Sequence, residues 1–189
     1  MKAIPNGCKR NDCIETPVNL AVEIMNYFKP TGKILEPCKG AGNFIQAYET
    51  YNLITQLENK EGIVWGYCEI KEGKDFFDFK EKVDWIITNP PYSILRKFLK
   101  HSMEVSDNII FLVPLNHFML TARLNDIREM GFGIKEMLLI DYPDNFPKMG
   151  FALGVIYLQK RYIGNIKFDN QKHFTTQTKI GIKNSNGNG

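Results

Sequence analysis

The stretch Lys33-Ile34-Leu35-Glu36-Pro37-Cys38-Lys39-Gly40-Ala41-Gly42-Asn43-Phe44 decides the fold. Its first four residues form a short, mostly apolar run, Pro37 and Gly40 break it, and an amphipathic run through Phe44, Ile45, Ala47 and Tyr48 follows. Strand, glycine loop and helix in that order open an α/β sheet, which binds nucleotides at the carboxyl end of the strand with a helix N-terminus behind the loop. Glycines at 40 and 42 let a ligand lie against the backbone, although the same residues also suit a plain strand-to-helix turn. The spacing is neither G-x-G-x-x-G nor G-x-x-x-x-G-K-[ST], which disfavours a dinucleotide or a triphosphate.

Upstream of the loop, Thr16-Pro17 has the form of a helix cap and first turn, and Leu20, Ile24, Tyr27 and Phe28 recur at helical spacing, so a helix is expected over 17–28. Downstream, Ile63 to Glu69, Val83 to Thr88 and Asn108 to Val113 are short and nearly continuously apolar, as parallel strands buried on both faces are. Ile94 to Met103 and Leu120 to Met130 read as crossover helices, with two further strands near Gly133 to Ile140 and Phe151 to Gln159. The expected class is α/β, a doubly wound, mostly parallel sheet. Residues 164–172 are weakly patterned, and the end from Lys183 to Gly189 has no apolar residue to anchor it. The expected organisation is one domain over 1–175 and a flexible tail over 176–189.

The whole chain sets outer bounds. At 189 residues, 43% hydrophobic and 24% charged, it is sized and composed for one soluble domain with a real core. A net charge of +3 is compatible with a polyanionic partner but far from a histone-like excess. Cys8, Cys13, Cys38 and Cys68 form no C-x-x-C pair, and His101, His117 and His173 lie far from them, so no metal is expected and the thiols are read as reduced. Without an apolar leader or a run of about 20 apolar residues, the expected location is the cytoplasm, with no membrane partner.

Three further groups carry chemistry. Glu69 ends a strand, where a carboxylate either accepts bonds from the two hydroxyls of a ribose or is merely solvated. Asp75-Phe76 supplies a carboxylate for an adenine amino group and an aromatic wall for its ring, or else is a turn Asp before core aromatics. Asn89-Pro90-Pro91-Tyr92 follows Val83 to Thr88 at the carboxyl edge of a central strand. Prolines end strands routinely, but here they make a rigid rim between a side-chain amide and an aromatic ring. The Asn89 and Pro90 carbonyls can accept both hydrogens of a planar amine while Tyr92 stacks on its ring.

On these residues the chain resembles the amino-methyltransferases, and among them the N6-adenine DNA methyltransferases of the gamma motif order. The likeness covers about residues 11–160: Thr16-Pro17, Glu36 to Phe44, Glu69, Asp75-Phe76, then Asn89 to Tyr92. It implies S-adenosylmethionine as cofactor, with Thr16, Glu36, Gly40 and Gly42 at its methionine part, Glu69 at the ribose and Asp75 and Phe76 at the adenine. It implies Asn89, Pro90 and Tyr92 as the residues holding a flipped target base. Asn145-Phe146-Pro147-Lys148 resembles the family motif that supplies a second aromatic, with Phe146 the expected ring and Phe151 the fallback.

Two departures from the family pattern bear on these expectations. Only five residues separate Glu69 from Asp75, whereas a parallel crossover needs about a dozen, so the usual helix and third strand are expected to be missing. Little chain follows Gln159, so a bare catalytic core is expected, with a separate specificity subunit as a partner and weak, salt-dependent DNA binding through Lys160, Arg161, Lys167, Lys172 and Lys179. The reaction expected from the resemblance is methyl transfer to N6 of adenine in DNA. The rival readings are methylation of RNA adenine, cytosine N4 or a protein glutamine, and a non-catalytic subunit that keeps the fold.

Overall fold

A computed structural model describes residues 14–58, 60, 62–143, 146 and 150–171. Along the chain it places α1 (Val18–Phe28), β1 (Gly32–Glu36), α2 (Asn43–Leu57), β2 (Ile63–Tyr67) and β3 (Val83–Thr88). There follow α3 (Leu95–Val105), β4 (Ser106–Pro114), the single turn α4 (Leu115–Phe118), α5 (Thr121–Glu129), β5 (Phe132–Ile140), β6 (Leu153–Lys160) and β7 (Lys167–Gln171). In the described residues the strands form one seven-stranded sheet in the order β2-β1-β3-β4-β6-β5-β7. Every neighbouring pair is parallel except those made by β6, which runs against β4 and β5.

Helices cover both faces, as the doubly wound reading requires. Alternate residues of β4 divide between two cores: Ile110 and Leu112 pack with Leu20, Ile24 and Met25 of α1 and Ala47 and Tyr48 of α2. Ile109, Phe111 and Val113 pack with Leu95, Phe98 and Leu99 of α3 and Ile127 of α5. Burying a side chain of this kind contributes about 1.5–3 kcal/mol, so the central strands are the most firmly held part of the molecule. No helix among the described residues is long and apolar enough to cross a membrane.

Between Tyr67 and Val83 the chain makes only two 3-10 turns, Ile70–Glu72 and Phe76–Asp78, so the third strand and its helix are indeed missing. This corrects one expectation: β2 is not buried on both faces. It is an edge strand, and Val64 is 68% exposed. Two other elements differ from the sequence reading. Thr16 does not cap α1; Pro17 holds that position and no side chain caps the helix. The weakly patterned segment at 164–172 supplies β7, which takes its place through parallel pairing with β5 and the Lys167–Glu136 ion pair at 2.6 Å rather than through an alternating pattern. The expected tail, 176–189, lies outside the described residues.

The chain passes from β1 outward to β2 and then returns to β3 on the other side of β1. The strand order therefore reverses between β1 and β3, and ligands of open α/β sheets bind in the crevice at the carboxyl ends of such a pair. Glu36 ends β1 and Asn89 follows β3, so the fold itself brings the two ends of the candidate site together.

Candidate functional site

The glycine loop leaves β1 through a set of hydrogen bonds centred on Glu36. Its carboxylate Oε1 accepts from the Cys38 backbone N–H at 3.0 Å and from Thr88 Oγ1 at 2.5 Å. Cys38 Sγ lies 3.1 Å from Thr88 Oγ1 and donates to the Asn89 carbonyl at 3.3 Å. Glu36 is 1% exposed. Burial pushes its carboxyl up to about 8, against the smaller opposing effect of the bonds from Thr88 and Cys38. Burial, then the neighbouring Glu36, also raises the Cys38 thiol well above its ordinary value, so it stays protonated and is no nucleophile at neutral pH. Gly40 and Gly42 have φ of +53° and +86°, which side chains rarely adopt, and a Cβ at either would meet nothing closer than 3.9 Å. The loop is thus open above its backbone.

Three buried polar atoms around this loop have no hydrogen-bond partner among the described residues: Thr16 Oγ1, Glu36 Oε2 and Asn89 Oδ1. They come from three segments joined by hydrogen bonds. Asn89 Nδ2 donates to the Ile14 carbonyl at 2.9 Å, which fixes the amide so that its oxygen is the unsatisfied end. Asn43 Nδ2 donates to the Thr16 carbonyl at 2.7 Å. Buried polar groups in folded proteins are nearly always paired, and each exception costs about 1–3 kcal/mol. Three exceptions in one hydrogen-bonded neighbourhood, all acceptors or hydroxyls, mark a place built to receive donors.

Glu69 lies against the same loop. Its Oε2 accepts from the Gly40 backbone N–H at 3.0 Å and its Oε1 from Lys71 N at 3.1 Å. A carboxylate has room for about four hydrogen bonds, so capacity for further donors remains. A bond from Lys39 N to the Cys68 carbonyl at 3.0 Å and the Lys39–Glu72 ion pair at 2.7 Å clamp the loop to this turn. Asp75 caps the second 3-10 turn by accepting from Phe77 N at 2.9 Å. Phe76 does not line an open wall as expected. It is 4% exposed, its ring centroid 4.6 Å from that of Phe98 and 4.7 Å from that of His101, because the short turn drives it into the α3 core.

The rim differs from expectation in its aromatics. Tyr92 is buried, and the edge of the His117 ring meets it at a centroid distance of 6.1 Å and 86°. Phe146, the expected second ring, sits in the α1 core beside Tyr142. The fallback Phe151 is instead 48% exposed and lies 5.8 Å from His117. The aromatic rim therefore runs Tyr92, His117, Phe151. Sequence reading missed His117, Cys38 and Thr88; the fall of His117 just beyond the end of a central strand was the available signal for the first. Asn145, Pro147 and Lys148 lie outside the described residues. Of the cations expected on a phosphate surface, Lys160 pairs with Asp107 at 3.2 Å and Lys167 with Glu136. Lys160 stands opposite Phe132, at the sheet edge remote from Asn89, because β6 runs antiparallel. Lys172 and Lys179 lie outside the described residues.

No family model and no curated protein matches this chain. Solved structures do, and three of them carry provisional assignments. A class I S-adenosylmethionine-dependent methyltransferase from Listeria monocytogenes superposes with a TM-score of 0.67 at 13% identity, over 90% of this chain and 69% of that one. An RNA methyltransferase from Pyrococcus horikoshii gives 0.53 at 16% identity, over 86% of this chain and 94% of that one. The modification subunit of a type I restriction enzyme from Vibrio vulnificus YJ016 gives 0.55 at 12% identity, over 88% of this chain but 48% of that subunit. At such identities the likeness shows the fold: this chain has the Rossmann-like fold of the S-adenosylmethionine-dependent methyltransferases.

Proposed function

We propose that this chain transfers a methyl group from S-adenosylmethionine to the exocyclic N6 amino group of adenine in DNA, with the base held outside the helix at Asn89 to Tyr92. The observation that carries this reading is Asn89 Oδ1, a buried acceptor without a donor among the described residues, its amide fixed by the Ile14 bond one residue after Thr88, whose hydroxyl donates to Glu36. The residues present fit the cofactor. Glu36 Oε2 is a buried acceptor suited to an ammonium group, Thr16 Oγ1 lies in the same neighbourhood, and the open backbone at Gly40 and Gly42 leaves room for the methionine part. Glu69 would take the ribose hydroxyls and Asp75 the adenine amino group. The cofactor supplies an electrophilic methyl group on a sulfonium.

The chain's own part is to hold and polarise the amine. Asn89 Oδ1 accepts one amino hydrogen and the Pro90 carbonyl the other, which draws the nitrogen from planar toward tetrahedral and localises its lone pair. Both acceptors then face the positive charge that grows on nitrogen, a preorganised electrostatic stabilisation. Extruding a base costs a few kcal/mol, offset by stacking of about 1–3 kcal/mol per aromatic. Phe151 and His117 are the rings at the mouth of the rim, with Tyr92 beneath them. In this reading a separate partner supplies sequence recognition, in keeping with the modification subunit among the structural neighbours.

The test is methyl incorporation from radiolabelled cofactor into double-stranded DNA, single-stranded DNA, RNA and protein, with the modified base identified by mass. The expected product is N6-methyladenine in DNA. Label in RNA or on cytosine N4 would move the substrate, and label only in protein would overturn the proposal.

A further inference from the structure

Beside the rim lies a feature that the methyl-transfer chemistry does not use. An open groove of about 470 Å³ is lined by Ser93, Ile94, Arg96, Lys97, Lys100 and Arg123. Ser93 and Ile94 directly follow Tyr92, and α3 begins at Leu95. Arg123 sits in the first turn of α5, which the chain reaches from the carboxyl end of β4. Both walls of the groove therefore start at the sheet edge that carries Asn89. Arg123 also joins groove to rim, since its guanidinium donates to the carbonyl of His117, whose ring lies against Tyr92.

Four cations meet here around one buried acid. Arg96 grips Asp126 with Nε at 2.6 Å and a second nitrogen at 3.0 Å, and Lys100 approaches the same carboxylate at 3.7 Å. Neither Lys97 nor Arg123 meets a carboxylate among the described residues. Lys97 lies over the Phe77 ring at 3.8 Å, and Arg123 Nε is buried without an acceptor. Burial and the nearby Arg96 charge both disfavour the Arg123 cation, so this guanidinium is held where it gains from an incoming anion.

We propose that this groove seats the sugar-phosphate backbone of the nucleic-acid strand whose base enters the rim. Lys97, Lys100 and Arg123 contact phosphates, and Asp126 holds Arg96 in a fixed orientation beside them. A single anion would need one such cation; a row of cations that begins at Arg96, four residues after the base-holding tyrosine, fits a chain of phosphates running away from it. The inference rests on the reading that the rim takes a nucleic-acid base. It also replaces Lys160 and Arg161, which stand at the remote sheet edge, as the phosphate surface.

The test uses the full chain and a fluorescein-labelled 20-mer, single-stranded and duplex, with affinity followed by anisotropy from low to physiological salt. Each lost phosphate contact lowers the slope of log affinity on log salt by about 0.7 for single strands and 0.9 for duplex. K97Q/K100Q changes two exposed side chains and is expected to lower that slope by about 1.4–1.8, while K160Q/R161Q leaves it unchanged. An unchanged slope in the first variant, an equal loss in the second, or no nucleic-acid binding by the parent overturns the groove. Equally tight binding of polyglutamate, lost in the same variant, also overturns it by making the partner an acidic protein. Methyl incorporation in the same samples reads the rim separately. Groove-dependent binding without methylation of any base would sink the rim and leave the groove; methylation with groove-independent binding would do the reverse.

Discussion

Replacing Glu36 by Gln keeps the shape of the side chain and removes its ionisation. In the ligand-free protein the Glu36 carboxyl is raised from 4.5 to about 8, chiefly by burial. The folded protein therefore holds a proton that the unfolded chain has released, and the stability this gives is full below about pH 4.5 and lost as pH rises toward 8. At about 1.4 kcal/mol per pH unit, the loss is on the order of 4–5 kcal/mol across that window. Glu36→Gln should abolish this slope, so that near pH 8.5 the variant melts about 8–20 °C above the parent, at roughly 2–4 °C per kcal/mol for a chain of this size. Cofactor changes the sign. A cation at Oε2 requires the ionised carboxylate, so in the parent cofactor affinity should rise up to tenfold per pH unit from about 6 to 8, with release of about one proton. In the variant both the affinity and its pH dependence should fall. Thermal unfolding across pH 5–9, and calorimetry in buffers of different ionisation enthalpy, measure the two halves. A parent whose stability is flat over that range, or a variant that binds cofactor with the parent's affinity and proton release, would refute the reasoning.

Glu69→Ala should weaken cofactor binding by about 1.5–3 kcal/mol through loss of charge-assisted hydrogen bonds; calorimetry showing unchanged affinity in a folded variant would remove Glu69 from the site. Asn89→Ala should lower the single-turnover methylation rate by about two to three orders of magnitude, as loss of one preorganised polar partner does, and leave cofactor affinity nearly unchanged. A parental rate in folded, cofactor-bound Asn89→Ala would end the proposed rim chemistry. Phe146→Ala and Phe151→Ala should separate cleanly: the first opens a core cavity costing about 3–5 kcal/mol, seen in denaturant unfolding. The second should leave stability almost unchanged and weaken capture of a 2-aminopurine target; the opposite pattern would restore Phe146 to the rim.

The sheet was legible because its central strands are short apolar runs and its loop residues are glycines and prolines, signals set by local physics. β3 begins and ends where the apolar run does, at Val83 and Thr88. The missing third strand was legible too, since five residues cannot make a crossover. What the sequence hid depends on packing between distant segments. Phe146 and Phe151 are both aromatics before a strand, and only the fold decides that one joins α1 and the other the rim. Thr16-Pro17 has the local form of a cap, yet Asn43 holds the Thr16 backbone carbonyl, the hydroxyl caps nothing, and the helix starts without it. The same limit applies to the cations expected at phosphates. Lys160 and Arg161 are adjacent cations in the chain, but the antiparallel run of β6 carries them away from Asn89, whereas Arg96, Lys97 and Lys100 follow the rim on one helix.

The absence of the third strand also explains why the site survives its loss. The crevice is defined by β1 and β3, which are central and buried, and three of the unsatisfied polar atoms, on Glu36, Asn89 and Thr16, lie at those strand ends or on the segment at 14–16 that crosses them. The outer elements contribute only Glu69 and Asp75, and here local bonds replace the missing support. Glu69 is tied to Gly40 across the loop, and Asp75 is fixed by its own turn at Phe77. The cost falls elsewhere: β2 becomes an exposed edge, and Phe76, without a strand to carry it outward, collapses onto α3. In the proposed reading the methionine part of the cofactor meets the hydrogen-bonded end of β1, while the adenine part rests on the short turn at Asp75. Affinity for a cofactor should accordingly depend far more on Glu36 and the glycine loop than on Asp75.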